Sequence, residues 1–242
     1  MPDQAATLSI ILPAKNEAAA LPALLEKLRA LYPDAELMVV DDGSTDGTAA
    51  VSKKHGARLV THPYSIGNGA AIKSGAREAH GGILVLMDAD GQHDPGDIRA
   101  LLDKLESGYD MIVGARHNSS QASLGRSLAN GFYNRLSSWI VGHRIADLTS
   151  GFRAVRARRF REFLHLLPNT FSYPTTITMA FFRAGYRVGY VPITAHKRIG
   201  TSHIRPLQDG MRFVLIIFKI GTLYSPLKIF LPISLVFFMT SL

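Results

Sequence analysis

The chain has no cysteine, a single tryptophan, Trp139, and very little acid in its second half. The missing cysteine excludes disulfides and thiolate metal sites while leaving the compartment open. The opening stretch MPDQAATLSIILPAKNE has no basic segment followed by a long apolar one, so no secretory signal is expected. Disorder is disfavoured too: 47% of the 242 residues are hydrophobic, enough to bury a full α/β core in about one large domain. The shortage of acid is local. Residues 1–120 carry 11 Lys plus Arg against 16 Asp plus Glu, a net of −5, whereas residues 121–242 carry 16 against 3, a net of +13. An acidic half suits a cation, and a basic half suits phosphates, nucleic acid or an anionic membrane.

Long apolar runs are scarce, and the clearest closes the chain. Ile229 to Leu242 holds no charge, but its 14 residues fall short of the roughly 20 that a spanning helix needs. Met211 to Ile220 is an apolar patch edged by Arg212 and Lys219. With Arg205 and Lys228 these cations predict membrane association, with the preceding domain on the cytoplasmic side. The expected division is a globular domain over 1–204 and, over 205–242, an amphipathic interfacial helix and the start of a spanning segment. A buried helix in a soluble protein is the plainer alternative. Pro226 and Pro232, which should interrupt such a helix, count against it.

Short apolar runs alternate with helical patterns through the first half. Strands are expected at Leu8–Ala14, Glu36–Asp42, Ala57–His62, Ile83–Asp90 and Asp110–Arg116, with helices at Glu17–Leu31, Asp46–His55, Asn68–His80 and Pro95–Ser107. This alternation predicts an α/β fold with a mostly parallel sheet and helices on both faces. In the less regular second half, helices are expected at Leu124–Val141 and Tyr173–Ala184, a loop and strand over Ala146–Val155, and a strand at Arg187–Thr194. Ligands of such sheets bind at the carboxyl ends of the strands. Lys15, Asn16 and Glu17 gather there after the first strand, DDGSTDGT (Asp41 to Thr48) after the second, and Asp88 and Asp90 after the fourth.

Asp88 and Asp90, two apart, would share one side of an extended strand, and a bend at Gly91 would turn both toward one cation. Carboxylate oxygens suit Mg²⁺ or Mn²⁺, which is usually completed by substrate phosphates, and Gln92 offers a third oxygen. His93 is the weaker candidate. Asp94 reads more simply as the cap before Pro95, and Ser44 or Thr45 as a cap for the helix from Asp46. Asp41 or Asp42 can accept hydrogen bonds from a base or ribose. IGNGAAIKSG (Ile66 to Gly75) lacks the Gly-Lys-Ser/Thr ending of a P-loop, though Lys73 can still reach a phosphate. The first strand does not lead into G-x-G-x-x-G, which argues against a nicotinamide or flavin cofactor.

In order along nearly the whole chain, LPAKNE, VVDDGSTDGT, GNGAA, LMDADGQHDP, IVGAR, DLTSGFR and KRIGTS resemble the family 2 inverting glycosyltransferases of the GT-A fold. The resemblance is closest to the branch of dolichol-phosphate mannose synthase and the bacterial polyprenyl-phosphate glycosyltransferases. The Gln-x-x-Arg-Trp motif of processive polysaccharide synthases is missing.

The resemblance implies a transferase moving a hexose from a GDP- or UDP-sugar to polyprenyl phosphate beside membrane lipid, with Mg²⁺ or Mn²⁺ and no nucleic-acid partner. It implies donor contacts from Pro13, Ala14, Asn16, Glu17, Asp42, Lys73 and the segment Asp88–Ala89–Asp90, and metal ligation by Asp88, Asp90 and Gln92. Arg116 would lie near the donor or acceptor phosphate, with Arg126, Arg198 and Ser202 around the acceptor phosphate and Asp147, Ser150 and Arg153 shaping the sugar pocket. A lipid phosphate is already anionic near neutral pH, so a strong base is unnecessary. A glycan hydroxyl acceptor would instead require a base, for which Asp147 is the candidate in the second half besides Asp209. A basic, non-catalytic membrane binder is the remaining alternative. Relatives with an acidic residue in the stretch aligned with Phe171–Met179 differ from this chain, which has only Ser, Tyr and Thr there.

Overall fold

Strands β1 (Leu8–Ala14), β2 (Glu36–Asp41), β3 (Arg58–Thr61), β4 (Ile83–Leu86), β5 (Met111–Arg116), β6 (Arg153–Arg156) and β7 (Val188–Ile193) form one sheet in the order β3-β2-β1-β4-β6-β5-β7. The computed structural model describes residues 7–116, 124–170, 172–195 and 206–241, and for 124–130, 206–212 and 233 the backbone only. All neighbours run parallel except β6, which lies antiparallel between β4 and β5. Helices α1 (Leu21–Leu31), α2 (Thr48–Lys54), α3 (Asn68–Glu78), α4 (Ile98–Glu106), α5 (Leu124–Val141), α6 (Ala157–Arg161), α7 (Tyr173–Arg183), α8 (Pro206–Tyr224) and α9 (Pro226–Thr240) complete the fold.

The central strands are buried on both faces, as their unbroken apolar runs require. Ile10, Leu12, Val39 and Val85 face a core closed by Leu21, Leu25 and Leu28 of α1 and Ile98, Leu101 and Leu105 of α4. Their alternating neighbours Ile11, Met38, Val40, Leu84 and Leu86 face α3, α6 and α7. The small residues of α3 bring it close to the sheet: a Cβ on Gly75 would sit 2.5 Å from Ile11 Cγ2.

Three elements depart from expectation. Strand β4 stops at Leu86, so Asp88 and Asp90 lie on the turn beyond it and strand pleating does not align them. Helix α2 starts at Thr48, and its first-turn amide is satisfied by Asp46 Oδ1 (3.0 Å) instead of Ser44 or Thr45. Pro232 does not interrupt α9, which runs through it, while Pro226 opens the helix. The Asp94 cap is as expected: its side chain accepts from Gly96 N at 2.7 Å, opening the 3₁₀ turn Pro95–Asp97.

A third core joins α5, α7 and α8 through Ile140, Val141, Leu148, Met179, Ile217 and Ile220. The axes of Phe213–Tyr224 and Pro226–Thr240 bend by 108°. Lys228 Nζ fixes the bend by donating to the carbonyls of Trp139 and Ile140 (3.1 and 3.2 Å), and Arg183 Nη2 donates to Tyr224 O (2.7 Å). Beyond it Phe230, Leu231, Leu235, Val236, Phe237, Phe238 and Met239 are exposed. Among the described residues no single helix is long and apolar enough to cross a membrane, although the bent pair passes by length and composition.

At the amino end of the strands, Glu36 accepts from Ser9 Oγ (2.5 Å), His80 N (2.8 Å) and Arg58 Nη1 (2.9 Å). Burial alone would raise its carboxyl, but these donors and the His80 side chain lower it to about 2. A depressed pKa stabilises the fold above the ordinary glutamate range, and the gain is lost as pH falls through the folded value. Glu36→Gln should therefore cost ~1–3 kcal/mol at pH 7, with the gap from wild type closing between pH 4.5 and 2 in urea titrations.

Candidate active site

Two loops close over the carboxyl ends of β1 and β2. Asn16 takes a positive φ of 57°, which puts its amide on Ser44 Oγ (2.9 Å) and its side-chain oxygen on Thr45 N (2.9 Å). Glu17 N donates to Thr48 Oγ1 at 3.0 Å, and Asp41 Oδ1 accepts from Ser44 N at 2.9 Å. Pro13 and Ala14 are buried beneath these contacts.

Asp42 holds the neighbouring loop. Its carboxylate accepts from Ser65 Oγ (2.8 Å), Ile66 N and Gly67 N (both 2.9 Å) and lies 2.7 Å from His62 Nδ1, while His62 Nε2 meets Ser74 Oγ at 2.9 Å. Burial opposes ionisation of Asp42, but His62 and these donors hold its pKa below the ordinary carboxylate value. Gly43, at φ +68°, is required here because a Cβ would meet the Ser65 nitrogen at 2.6 Å.

The expected phosphate reach of Lys73 is not what its contacts show. The ammonium is tied to Leu167 O (3.0 Å) and to Asn169 Oδ1, and the first-turn amides of Gly69 and Ala70 are bound to the carbonyls of Thr170 and Asn169. Helix α3 is thereby pinned to the segment preceding α7.

Between these elements lies a small cavity of about 90 Å³. Asp88 lines it with Asn68, Thr149 and Gly151, and Thr170, Ser172, Tyr173 and Pro174 form the rest of its wall. Asn68 Nδ2 donates to Asp88 Oδ1 at 3.4 Å. Beyond Asp88, Gly91 takes φ 74° and Asp90 turns inward, its Oδ1 accepting from Gln92 N at 3.1 Å. Behind Asp90, His93 is buried and stacked on Phe152 with ring centroids 4.9 Å apart. Burial lowers its pKa to about 4, so the imidazole is neutral at physiological pH.

Among the described residues no group of three or more His, Cys, Asp or Glu side chains forms a closed metal cage. Asp88 opening on a cavity, with Asp90 and the Gln92 amide oxygen nearby in sequence, fits a Mg²⁺ or Mn²⁺ that takes its other ligands from a diphosphate.

Arg116, at the end of β5, is bound along one edge to Asp147: Nε donates to Oδ2 at 2.8 Å, Nη2 to Oδ1 at 3.0 Å, and Nη2 also to Thr149 Oγ1. Asp147 Oδ1 further accepts from Thr149 N (3.0 Å) and Ser150 N (3.1 Å). Burial would raise the Asp147 carboxyl, but Arg116 and the backbone amides hold it below the ordinary value, which makes it a weak proton acceptor. That weighs against Asp147 as a base toward a hydroxyl acceptor.

Ser150 and Arg153, expected to shape the pocket, are buried under it, while Thr149 and Gly151 line it. The motif DLTSGFR pointed to this loop, but burial of the wrong neighbours is not visible in a sequence. Asn68, Thr170, Ser172 and Tyr173 were missed; hydroxyls and an amide at two helix starts were the available signal. Arg126 lies on the first turn of α5, with its side chain outside the described residues, as are Arg198 and Ser202 entirely.

The family description Glycosyl transferase family 2 matches residues 9–185. The chain belongs to that family. It is a glycosyltransferase with the GT-A fold. An undecaprenyl-phosphate mannosyltransferase of Micrococcus luteus is 30% identical over 205 residues, covering 78% of this chain and 83% of the relative. The polyprenol monophosphomannose synthase of Mycolicibacterium smegmatis is 29% identical over 209 residues, covering 78% and 77%. Among solved structures, glucosyl-3-phosphoglycerate synthase from Mycobacterium tuberculosis, in complex with Mn²⁺, UDP-glucose and phosphoglyceric acid, superposes with a TM-score of 0.73 at 19% identity over 90% of this chain and 80% of that one.

Proposed function

We propose that this glycosyltransferase moves a neutral hexose from a GDP- or UDP-sugar to a polyprenyl phosphate at the cytoplasmic face of a membrane. The observation that carries the reading is the double duty of α7. Its first turn lines the cavity at Asp88, and its last turn holds the bend that leads into the exposed apolar α9. A water-soluble donor and a lipid-borne acceptor would thus be served by one rigid element. The names of the two relatives, both polyprenyl-phosphate enzymes, support the acceptor class.

Asp88 and Asp90, with Gln92, would hold Mg²⁺ or Mn²⁺, and that ion would supply positive charge facing the diphosphate leaving group. Asn68 orients Asp88 from α3. Arg116, held by Asp147 through Nε and Nη2 and by Thr149 through Nη2, would place a fixed positive charge beside the cavity that Thr149 lines, suited to a phosphate. The acceptor oxygen is already ionised, so no side chain needs to remove a proton. Attack opposite the leaving group inverts the anomeric centre. Residues 205–242 act as the membrane-facing part: α9 is apolar around its circumference, and the +13 charge of residues 121–242 draws the chain to anionic lipid.

The test uses a panel of radiolabelled GDP- and UDP-sugars with Mg²⁺ or Mn²⁺ and polyprenyl phosphate carried in anionic vesicles. One donor is expected to label the lipid phase, EDTA should abolish labelling, and the protein should pellet with the vesicles. Failure with every donor sinks the acceptor assignment, and protein left wholly in the supernatant sinks the membrane assignment.

A further inference from the structure

Helix α5 ends at Val141, and Gly142 beyond it, at φ +80°, donates its amide to Ser138 O at 2.8 Å. The remaining carbonyls of that last turn need donors from elsewhere. Lys228 Nζ, from the first turn of α9, supplies them to Trp139 O and Ile140 O at 3.1 and 3.2 Å, a cation set on the negative end of a helix. The packing beside it is close. A Cβ on Gly221 of α8 would lie 2.6 Å from Ile229 Cδ1 of α9 and 3.2 Å from Ile140 Cδ1 of α5, and Ile140, Ile220, Ser225 and Ile229 are all buried. Arg183 of α7 binds the last carbonyl of α8, that of Tyr224, at 2.7 Å. The 108° bend is therefore a packed and hydrogen-bonded joint of three helices, built where a flexible linker would have sufficed for a simple anchor.

Exposed apolar side chains surround the joint on all three: Trp139 of α5, Leu223 of α8 and Leu227 of α9. Residues 213–242 contain two lysines, Lys219 and Lys228, and no acid. Apolar surface accompanied only by positive charge complements an anionic lipid leaflet, whereas a second copy of the chain would bring lysines toward lysines.

Resting on the acceptor reading above, we propose that Lys228 is a positioning residue for the lipid-borne acceptor: by locking α9 to the end of α5 it holds the catalytic domain at one fixed attitude to the lipid surface, so that α9 is a rigid strut and not a tether. A tether would keep the chain on the membrane but let the cavity swing away from a phosphate whose prenyl chain stays in the leaflet. Releasing the joint should spare membrane binding and penalise only an acceptor that does not leave the lipid.

Lys228→Met removes the donor, Lys228→Arg retains one, and Lys219→Met removes the same charge from an exposed position on α8. Gly221→Val, which forces Ile229 aside, is the second variant should Lys228→Met not fold. For each, kcat/KM is compared between polyprenyl phosphate carried in phosphatidylcholine–phosphatidylglycerol vesicles and a short isoprenyl phosphate dissolved in water. Trp139, the only tryptophan, is followed by fluorescence quenching with the same lipids brominated on their acyl chains. Every variant is expected to pellet with the vesicles. The ratio of lipid-borne to dissolved turnover should fall about tenfold in Lys228→Met, the scale of one or two lost charge-assisted hydrogen bonds, recover in Lys228→Arg and stay within about twofold of wild type in Lys219→Met. Quenching of Trp139 should fall only where the ratio does. An unchanged ratio or unchanged quenching in a folded Lys228→Met overturns the inference, as does an equal fall in Lys219→Met, which would leave charge alone as the cause. A wild type active on neither acceptor sinks the acceptor reading and this inference with it. A wild type that stays in the supernatant as a dimer gives the apolar surface to a second copy and does the same.

Discussion

Asp88→Asn is expected to lower kcat/KM at least about 100-fold while leaving the fold intact, a larger loss than changes behind metal ligands usually bring. The residue is only partly buried and lies beyond the end of β4, so the substitution alters charge at the cavity without disturbing the sheet. Its amide oxygen can still accept from Asn68, which keeps the side chain in place. On the proposed metal reading, the change removes half of the carboxylate pair offered to a divalent ion, and with it charge that would hold metal and diphosphate together. Mn²⁺ affinity measured in the presence of GDP or UDP should fall with the rate, and Asp90→Asn should behave alike. Because the two carboxylates act as a unit, the double variant should be scarcely worse than either single one. If Mn²⁺ binding and turnover survive both changes, or EDTA leaves the wild-type rate unaltered, the metal assignment is wrong.

How far the sequence anticipated this site depended on the range of the interactions concerned. Strand β1 was legible to its last residue because Leu8–Ala14 is an apolar run ended by Lys15, and α1 and α4 fall inside the segments expected to be helical, Glu17–Leu31 and Pro95–Ser107. The start of α1 was placed four residues early because Glu17 O accepts from both Ala20 N and Leu21 N, a turn that has helical composition without helical continuation. Strand β6 was harder. Arg-Ala-Val-Arg is short and flanked by charge, and only its insertion between β4 and β5 makes it a central, antiparallel strand. The same insertion buries Arg153, which sequence reasoning placed in the pocket. Asp42 illustrates the other limit: its partners lie 20 to 25 residues away, in a loop whose approach depends on Gly43. Motifs therefore located the edge, and long-range contacts decided which side chains line it.

Asp147→Asn separates the two roles that this carboxylate was offered. As a general base toward a hydroxyl, Asp147 would be lost with its stability effect small and donor binding intact. As the partner of Arg116, its loss leaves a largely buried guanidinium facing a neutral amide, which should cost ~3–5 kcal/mol in urea unfolding at pH 7. The pH dependence has a definite sign. The folded pKa of Asp147 is depressed, so its stabilisation is complete above the ordinary aspartate pKa of about 3.9 and declines as pH falls through the lower folded value. Wild type and variant should thus differ by a constant amount between pH 5 and 8 and converge in acid. Turnover should fall as well, because Asp147 orders both Arg116 and the Thr149–Ser150 amides beneath the cavity. Pairing Asp147→Asn with Arg116→Met removes the stranded charge, so the double variant should regain much of the lost stability while remaining inactive. A double variant no more stable than Asp147→Asn alone would mean that the ion pair is not what holds this loop. A stable, donor-binding but inactive Asp147→Asn would return the residue to the role of base, and the acceptor to a hydroxyl.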